Sequence, residues 1–89
     1  MKLYDEFFST SKYFERLIQE NDWKKNSTQL RDKVDGEYRF WKRVLSMLPP
    51  ERRLLKEFEW MTQCYKQILL NLEKEKFNRK IRFIHEGST

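Results

Sequence analysis

Glycine and proline are scarce in this chain, and their scarcity excludes most β-rich folds. Only two residues of each type occur among 89, whereas a many-stranded sheet needs turn-forming residues between its strands. The two glycines, Gly36 and Gly87, stand far apart, so no glycine-rich loop is available to hold a phosphate group. The composition therefore predicts an all-α fold without a nucleotide-binding loop.

Cysteine and histidine are nearly absent, which removes the usual side chains of catalytic and metal sites. Cys64 and His85 are the sole representatives, and in a continuous helix they would lie about 31 Å apart. Cys64 falls in an apolar stretch typical of a buried, inert thiol. Carboxylates occur in close pairs among lysines and arginines, as on a salt-paired helix surface. We therefore predict no enzymatic activity, metal ion, cofactor or small-molecule substrate.

Long apolar runs are missing as well. The longest, such as residues 68–70, hold a few residues, whereas a membrane-spanning helix needs about 20. A single cysteine and a start unlike a signal peptide are typical of a protein in a reducing compartment. We expect a cytoplasmic protein without a membrane span.

Aromatic residues, in contrast, are plentiful. They make up 16% of the chain, and apolar residues as a whole make up 38%. Large rings bury much area with few residues, which suits the core of one small domain. We predict a single helical domain over residues 1–86, followed by a frayed tail at 87–89.

Two helices are predicted before the first proline. The first lies within Met1–Trp23, because Phe7, Phe14, Leu17 and Ile18 share a helical face. The polar residues 9–11 favour a helix that begins there and ends near Asn21, and they leave the first eight residues open. The second helix runs from a cap at Asn26 or Ser27 to Leu48, passes through Gly36 without a turn and ends before Pro49. Its core stripe is Leu30, Val34, Tyr38, Trp41, Leu45 and Leu48.

The third helix has the most regular pattern, and we predict that it begins at Pro50. Its stripe consists of Leu54, Phe58, Met61, Tyr65, Ile68 and Leu72, widened by Leu55, Leu69 and Leu70. Past Leu72 this stripe turns polar, and the helix either continues or breaks near Asn78; we favour continuation. The expected fold is a three-helix bundle, or a helical hairpin plus an N-terminal helix, with a long C-terminal helix.

The C-terminal end of this helix is the candidate functional segment. It concentrates apolar and basic side chains: Phe77, Ile81, Phe83 and Ile84, with Lys74, Lys76, Arg79, Lys80 and Arg82. Against Glu75 alone, these five cations give residues 74–82 a charge of +4, out of +5 for the whole chain. Because the third helix is much longer than the other two, we expect this end to overhang the bundle and to bind a protein partner or a second copy. A solvated helix end is the plainer alternative.

Nucleic-acid binding is the second functional hypothesis, since cations next to aromatic rings can neutralise phosphates and stack on bases. The segment from Arg39 to Phe58, RFWKRVLSMLPPERRLLKEF, also resembles the helix-Leu-Pro-helix entry to the sigma-factor region-four-like domains of small phage transcription activators. The resemblance implies a DNA-binding accessory or transcription-regulatory role. In those domains a helix-turn-helix follows within some twenty residues, and Trp60–Lys76 contains no such turn. The resemblance covers about a quarter of the chain.

Overall fold

Three α-helices make up the fold. The structure, a computed structural model, describes residues 2–20 and 27–87, with side chains described for 2–20 and 27–75. The helices are α1 (Lys2–Glu20), α2 (Ser27–Ser46) and α3 (Leu55–Gly87), with a 3-10 turn at Pro50–Arg52, and the described ranges contain no strand. The predicted all-α fold with a long C-terminal helix is confirmed.

The helices follow an up-down-up course, which hydrogen bonds between them define. The Tyr38 and Thr62 hydroxyls lie 3.0 Å apart, and Tyr65 is bonded to Asp35 one turn further along, so α2 runs antiparallel to α3. Glu15 accepts a bond of 2.6 Å from Trp60 Nε1, and near the helix starts the Tyr4 hydroxyl donates to the carbonyl of Arg52. The last two contacts place α1 parallel to α3.

The core lies along the line where the three helices meet. Its buried members are Phe7, Phe14, Val34, Trp41, Leu45, Met61, Cys64, Ile68 and Leu72. Phe7 packs edge-on against Trp41 at a ring separation of 5.5 Å, which joins α1 to α2. Burial of these apolar side chains provides the hydrophobic driving force for folding. The predicted helical faces are confirmed as the source of this core.

The first helix is longer than its polar residues suggest. It begins at Lys2 and continues through residues 9–11. The Thr10 hydroxyl donates to the carbonyl of Glu6 one turn earlier and accepts from Trp41 Nε1. Because the hydroxyl is satisfied within the bundle, it does not compete with the helix backbone, and these residues do not act as a cap.

The connection between α2 and α3 corrects two predicted helix ends. The second helix ends at Ser46 rather than Leu48, and the third begins at Leu55 rather than Pro50. The chain instead forms the 3-10 turn, and Leu54 adopts a left-handed backbone with φ of 49°. Two antiparallel helices require a sharp reversal, and this turn together with Leu54 supplies it. The Arg53 side chain closes the reversal by donating to the Leu48 carbonyl at 2.7 Å.

Two of the three leucines expected to widen the third core stripe do not do so. Leu55 and Leu70 are 68% and 51% exposed, whereas Cys64 is buried. In a helix of 3.6 residues per turn, Cys64 lies on the same face as the core residues Met61 and Ile68. Leu70 lies on the opposite face. The prediction that Leu55 and Leu70 join the core is therefore wrong.

Candidate interaction surface

The third helix extends beyond the described ends of both of its neighbours. The contacts Tyr38–Thr62 and Asp35–Tyr65 join residues whose numbers add up to 100, and in that register the start of α2 at Ser27 lies level with residue 73. The described end of α1 lies level with an even earlier part of α3, because Glu15, close to that end, lies level with Trp60. Residues 74–87 therefore continue past the described ends of α1 and α2 for roughly 21 Å. We call residues 74–87 the overhang.

The predicted site residues fall in this overhang. Lys74 is exposed at its base. The side chains of Lys76, Phe77, Arg79, Lys80, Ile81, Arg82, Phe83 and Ile84 lie outside the described residues, although the backbone there is helical. The assignment of these residues to a binding site remains a prediction.

The helix does not break near Asn78, so the favoured continuation is confirmed. This continuity also bears on the resemblance to sigma-factor-like domains. A helix-turn-helix requires a turn soon after its entry helix, and α3 is a single helix from Leu55 to Gly87. The part of the chain that would have to hold the turn and the second helix of that motif is thus occupied by one unbroken helix.

An open groove lies between α1 and α3, next to two exposed aromatic rings. It has a volume of about 540 Å³, and Phe8, Lys12, Lys56 and Trp60 are among its lining residues. Phe8 is 42% and Trp60 is 53% exposed. Two large rings at the mouth of one groove form an apolar surface that water covers poorly.

A further feature of α3 was missed in the sequence. Residues at alternating spacings of four and three also follow its outer side, away from the core; they are Lys56, Trp60, Gln63, Gln67, Leu70 and Lys74. All six are exposed. We call this set the outer stripe. The outer stripe has the same 3.5-residue period as the core stripe. It was not identified in the sequence because its polar members resemble ordinary surface residues.

The one cysteine is buried in the core and next to a carboxylate. Cys64 is 3% exposed, and burial, followed by the negative charge of Glu15, raises the pKa of its thiol. Both causes disfavour the thiolate, which is the reactive form of cysteine. The expectation of a buried thiol at Cys64 is confirmed, whereas the His85 side chain lies outside the described residues.

A stack of aromatic rings links α2 to α3. The Tyr38 ring lies between Phe58 and Tyr65, at centroid distances of 5.4 and 4.1 Å. The Tyr65 hydroxyl donates a hydrogen bond to Asp35, which also pairs with Arg39 at 3.4 Å. Burial, together with the hydrogen bond to Asp35 and its charge, raises the pKa of Tyr65 to about 12. The phenol therefore serves as a hydrogen-bond donor that fixes the helix register.

Comparison with protein-family models, with curated proteins and with solved structures finds no significant match to this chain. Over the residues that the structure describes, no helix has both the length and the apolar character needed to cross a bilayer. In the same part of the chain, no three His, Cys, Asp or Glu side chains gather closely enough to hold a metal ion.

Proposed function

We propose that this protein is a non-enzymatic adaptor or regulator that binds a protein partner through its C-terminal helix. The observation that carries the proposal is the overhang, which leaves its own bundle while remaining helical. Four apolar residues occur in it: Phe77, Ile81, Phe83 and Ile84. A helix that runs past the described ends of its neighbours and carries large apolar residues is typical of a surface completed by another molecule.

The charge of the overhang favours an acidic partner. Residues 74–82 hold five cations and one carboxylate, and such a segment attracts carboxylate-rich protein surfaces by long-range electrostatics. Phosphate groups offer the same sign of charge. Nucleic acid is therefore the second candidate partner, and it would make the protein a DNA- or RNA-binding accessory factor.

Two double variants separate these candidates. Phe77→Ser with Ile81→Ser removes apolar contact area, and we expect it to abolish capture of a protein partner while the bundle stays folded. Arg79→Glu with Lys80→Glu reverses two cations and keeps the apolar residues. If the partner is nucleic acid, this second variant should lose binding and show a weaker salt dependence, with the slope changed by about one for each lost phosphate contact.

The measurements are affinity capture from cell extract, light scattering, and a DNA shift assay at two salt concentrations. Circular dichroism of each variant serves as the folding control. A parent and two variants that behave identically in all three assays would show that the overhang is a solvated helix end, and the proposal would be wrong.

A further inference from the structure

The outer stripe has the spacing of a coiled-coil seam. Of the nine positions at this spacing from Lys56 to Ile84, five are apolar: Trp60 and Leu70 in the outer stripe, and Phe77, Ile81 and Ile84 in the overhang. Within the described part, Trp60 and Leu70 are 53% and 51% exposed, so about half of each of these large apolar side chains is open to solvent. A sustained 3.5-residue repeat on an outward face is the pattern by which helices pair lengthwise.

The charges beside the stripe indicate what pairs with it. One flank carries Glu59, Lys66, Glu73 and Lys80, spaced seven residues apart and alternating in sign. The first three are exposed. When two identical helices pair antiparallel, residues of the same flank face each other, and flanking charges set orientation and partner choice. In the register that places Lys66 opposite Glu73 of a second copy, Glu59 also lies opposite Lys80, so every facing pair along this flank is of opposite charge.

A parallel pairing lacks this match. There, the flank just described would face the other flank of the second helix, which holds Glu57, Cys64, Asn71 and Asn78. Of these four residues only Glu57 carries a charge, so the alternating charges of the first flank find no matching series of opposite charges. The charge pattern therefore favours the antiparallel arrangement, which a two-fold axis generates from one surface.

We propose that two copies of this chain pair antiparallel along the outer stripe of α3. In the same register, Trp60 shares a layer of the seam with Phe77 of the second copy, and Lys56 shares one with Ile81. The overhang of each copy then runs along the first half of the other copy's α3, beside the groove that Phe8 and Trp60 line. This inference rests on the proposed function, because it identifies the partner of the overhang as a second copy.

The pairing is tested by exchanging charges at Lys66 and Glu73. Both side chains are exposed, and lysine and glutamate are equally good helix formers, so the bundle should stay folded. In analytical ultracentrifugation we expect the parent to reach twice its chain mass of 11.2 kDa as concentration rises. Lys66→Glu alone and Glu73→Lys alone each place like charges opposite each other twice per dimer, and each should weaken dimerisation on the order of tenfold or more.

Two complementary samples make the test specific to this register. The double variant Lys66→Glu with Glu73→Lys restores opposite charges and should dimerise like the parent. An equimolar mixture of the two single variants should form a heterodimer, because one copy then carries two glutamates where the other carries two lysines. A parent that stays monomeric, or single variants that dimerise as tightly as the parent, would overturn the antiparallel pairing.

The charge-exchange and serine variants together distinguish self-pairing of α3 from the binding of a foreign protein. The charge exchange leaves Phe77 and Ile81 intact, whereas the serine variants leave the central charge pairs intact. If charge exchange changes nothing while the serine variants lose capture of a foreign protein, the proposed function stands and self-pairing is wrong. If charge exchange controls the dimer and the serine substitutions have no effect on it, the described outer stripe pairs without the overhang, and the placement of the overhang against the second copy is wrong.

Discussion

At the scale of single residues, the contact between Tyr65 and Asp35 is the most informative polar interaction of the bundle. It joins α2 to α3 through a phenol that is partly buried and stacked on Tyr38. Such a hydrogen bond holds only while the phenol keeps its proton, since an ionised phenolate would face a carboxylate. Ionisation of Tyr65 at alkaline pH therefore breaks a contact that holds α2 against α3.

We expect Tyr65 to make the protein less stable at high pH. Its pKa is about 12 in the folded chain, compared with an ordinary value of 10.0. Because folding raises the pKa, the contribution is complete below pH 10 and is lost as the pH rises towards 12. Tyr65→Phe should lower the free energy of unfolding at neutral pH by about 1 kcal/mol and flatten this alkaline decline.

Urea unfolding at a series of pH values measures both effects. Tyr13→Phe is the matched control, because it removes a phenol that lies outside the stack. Cys64 is present in all three proteins, so its own raised pKa cancels from the comparison. An unchanged slope in Tyr65→Phe would show that this phenol does not link stability to pH.

At the scale of elements, α2 contains a glycine at a position where the packing leaves room for a side chain. Gly36 lies in the middle of the helix, and a β-carbon added there would meet no atom within 4 Å. Glycine in a helix interior costs roughly 1 kcal/mol relative to alanine. The position is therefore open to stabilisation.

Gly36→Ala should raise the free energy of unfolding by about 1 kcal/mol and the melting temperature by roughly 4 to 8 °C. Thermal melts followed by circular dichroism measure this change. Gln29→Ala, at an exposed position of the same helix, gives the size of an ordinary surface effect. A loss of stability in Gly36→Ala would mean that another chain approaches this part of the α2 backbone closely in solution.

The elements also show which parts of the fold were predictable. The stripes through Val34, Trp41, Met61 and Ile68 identified the helices and their buried faces, because burial and helical period act along each helix independently. The break at Leu54 was not predictable in the same way. Proline at the first turn of a helix is favourable in isolation, and only the need to bring α3 back against α2 makes the chain form a separate turn first.

The candidate site was predicted less completely than the fold. A local excess of charge and apolar residues is visible in the sequence, and it indicated the overhang. The exposed Trp60 and the groove beside it depend on how α1 packs against α3, which no local pattern specifies. Leu70 was misassigned to the core because an isolated leucine on a helix has the same sequence signal whether it faces inward or outward.

At the scale of the whole molecule, the chain folds into a narrow and elongated shape. It measures 60 × 19 × 18 Å, and a helix of 33 residues accounts for about 50 Å of its length. The last buried residue of the described core is Leu72. The bundle and the overhang therefore divide close to residue 75.

Removal of residues 76–89 should leave a folded bundle. We expect the shortened chain to unfold cooperatively, with a free energy of unfolding within about 1 kcal/mol of the parent, because the described core remains whole. It should also lose partner binding. Urea unfolding and light scattering test the two statements, and a loss of more than about 2 kcal/mol would show that the overhang contributes to the core.

Because α1 and α3 run parallel, the two ends of the molecule, here called its poles, differ in structure. At one pole α1 begins beside the α2–α3 connection, where Tyr4 is bonded to the Arg52 carbonyl. At the other, α3 continues past the described ends of α1 and α2 to Gly87, about 50 Å from its own start. A linker fused before Lys2 is thus attached far from the overhang, and a chain tethered to a surface in this way would direct its C-terminal helix away from that surface.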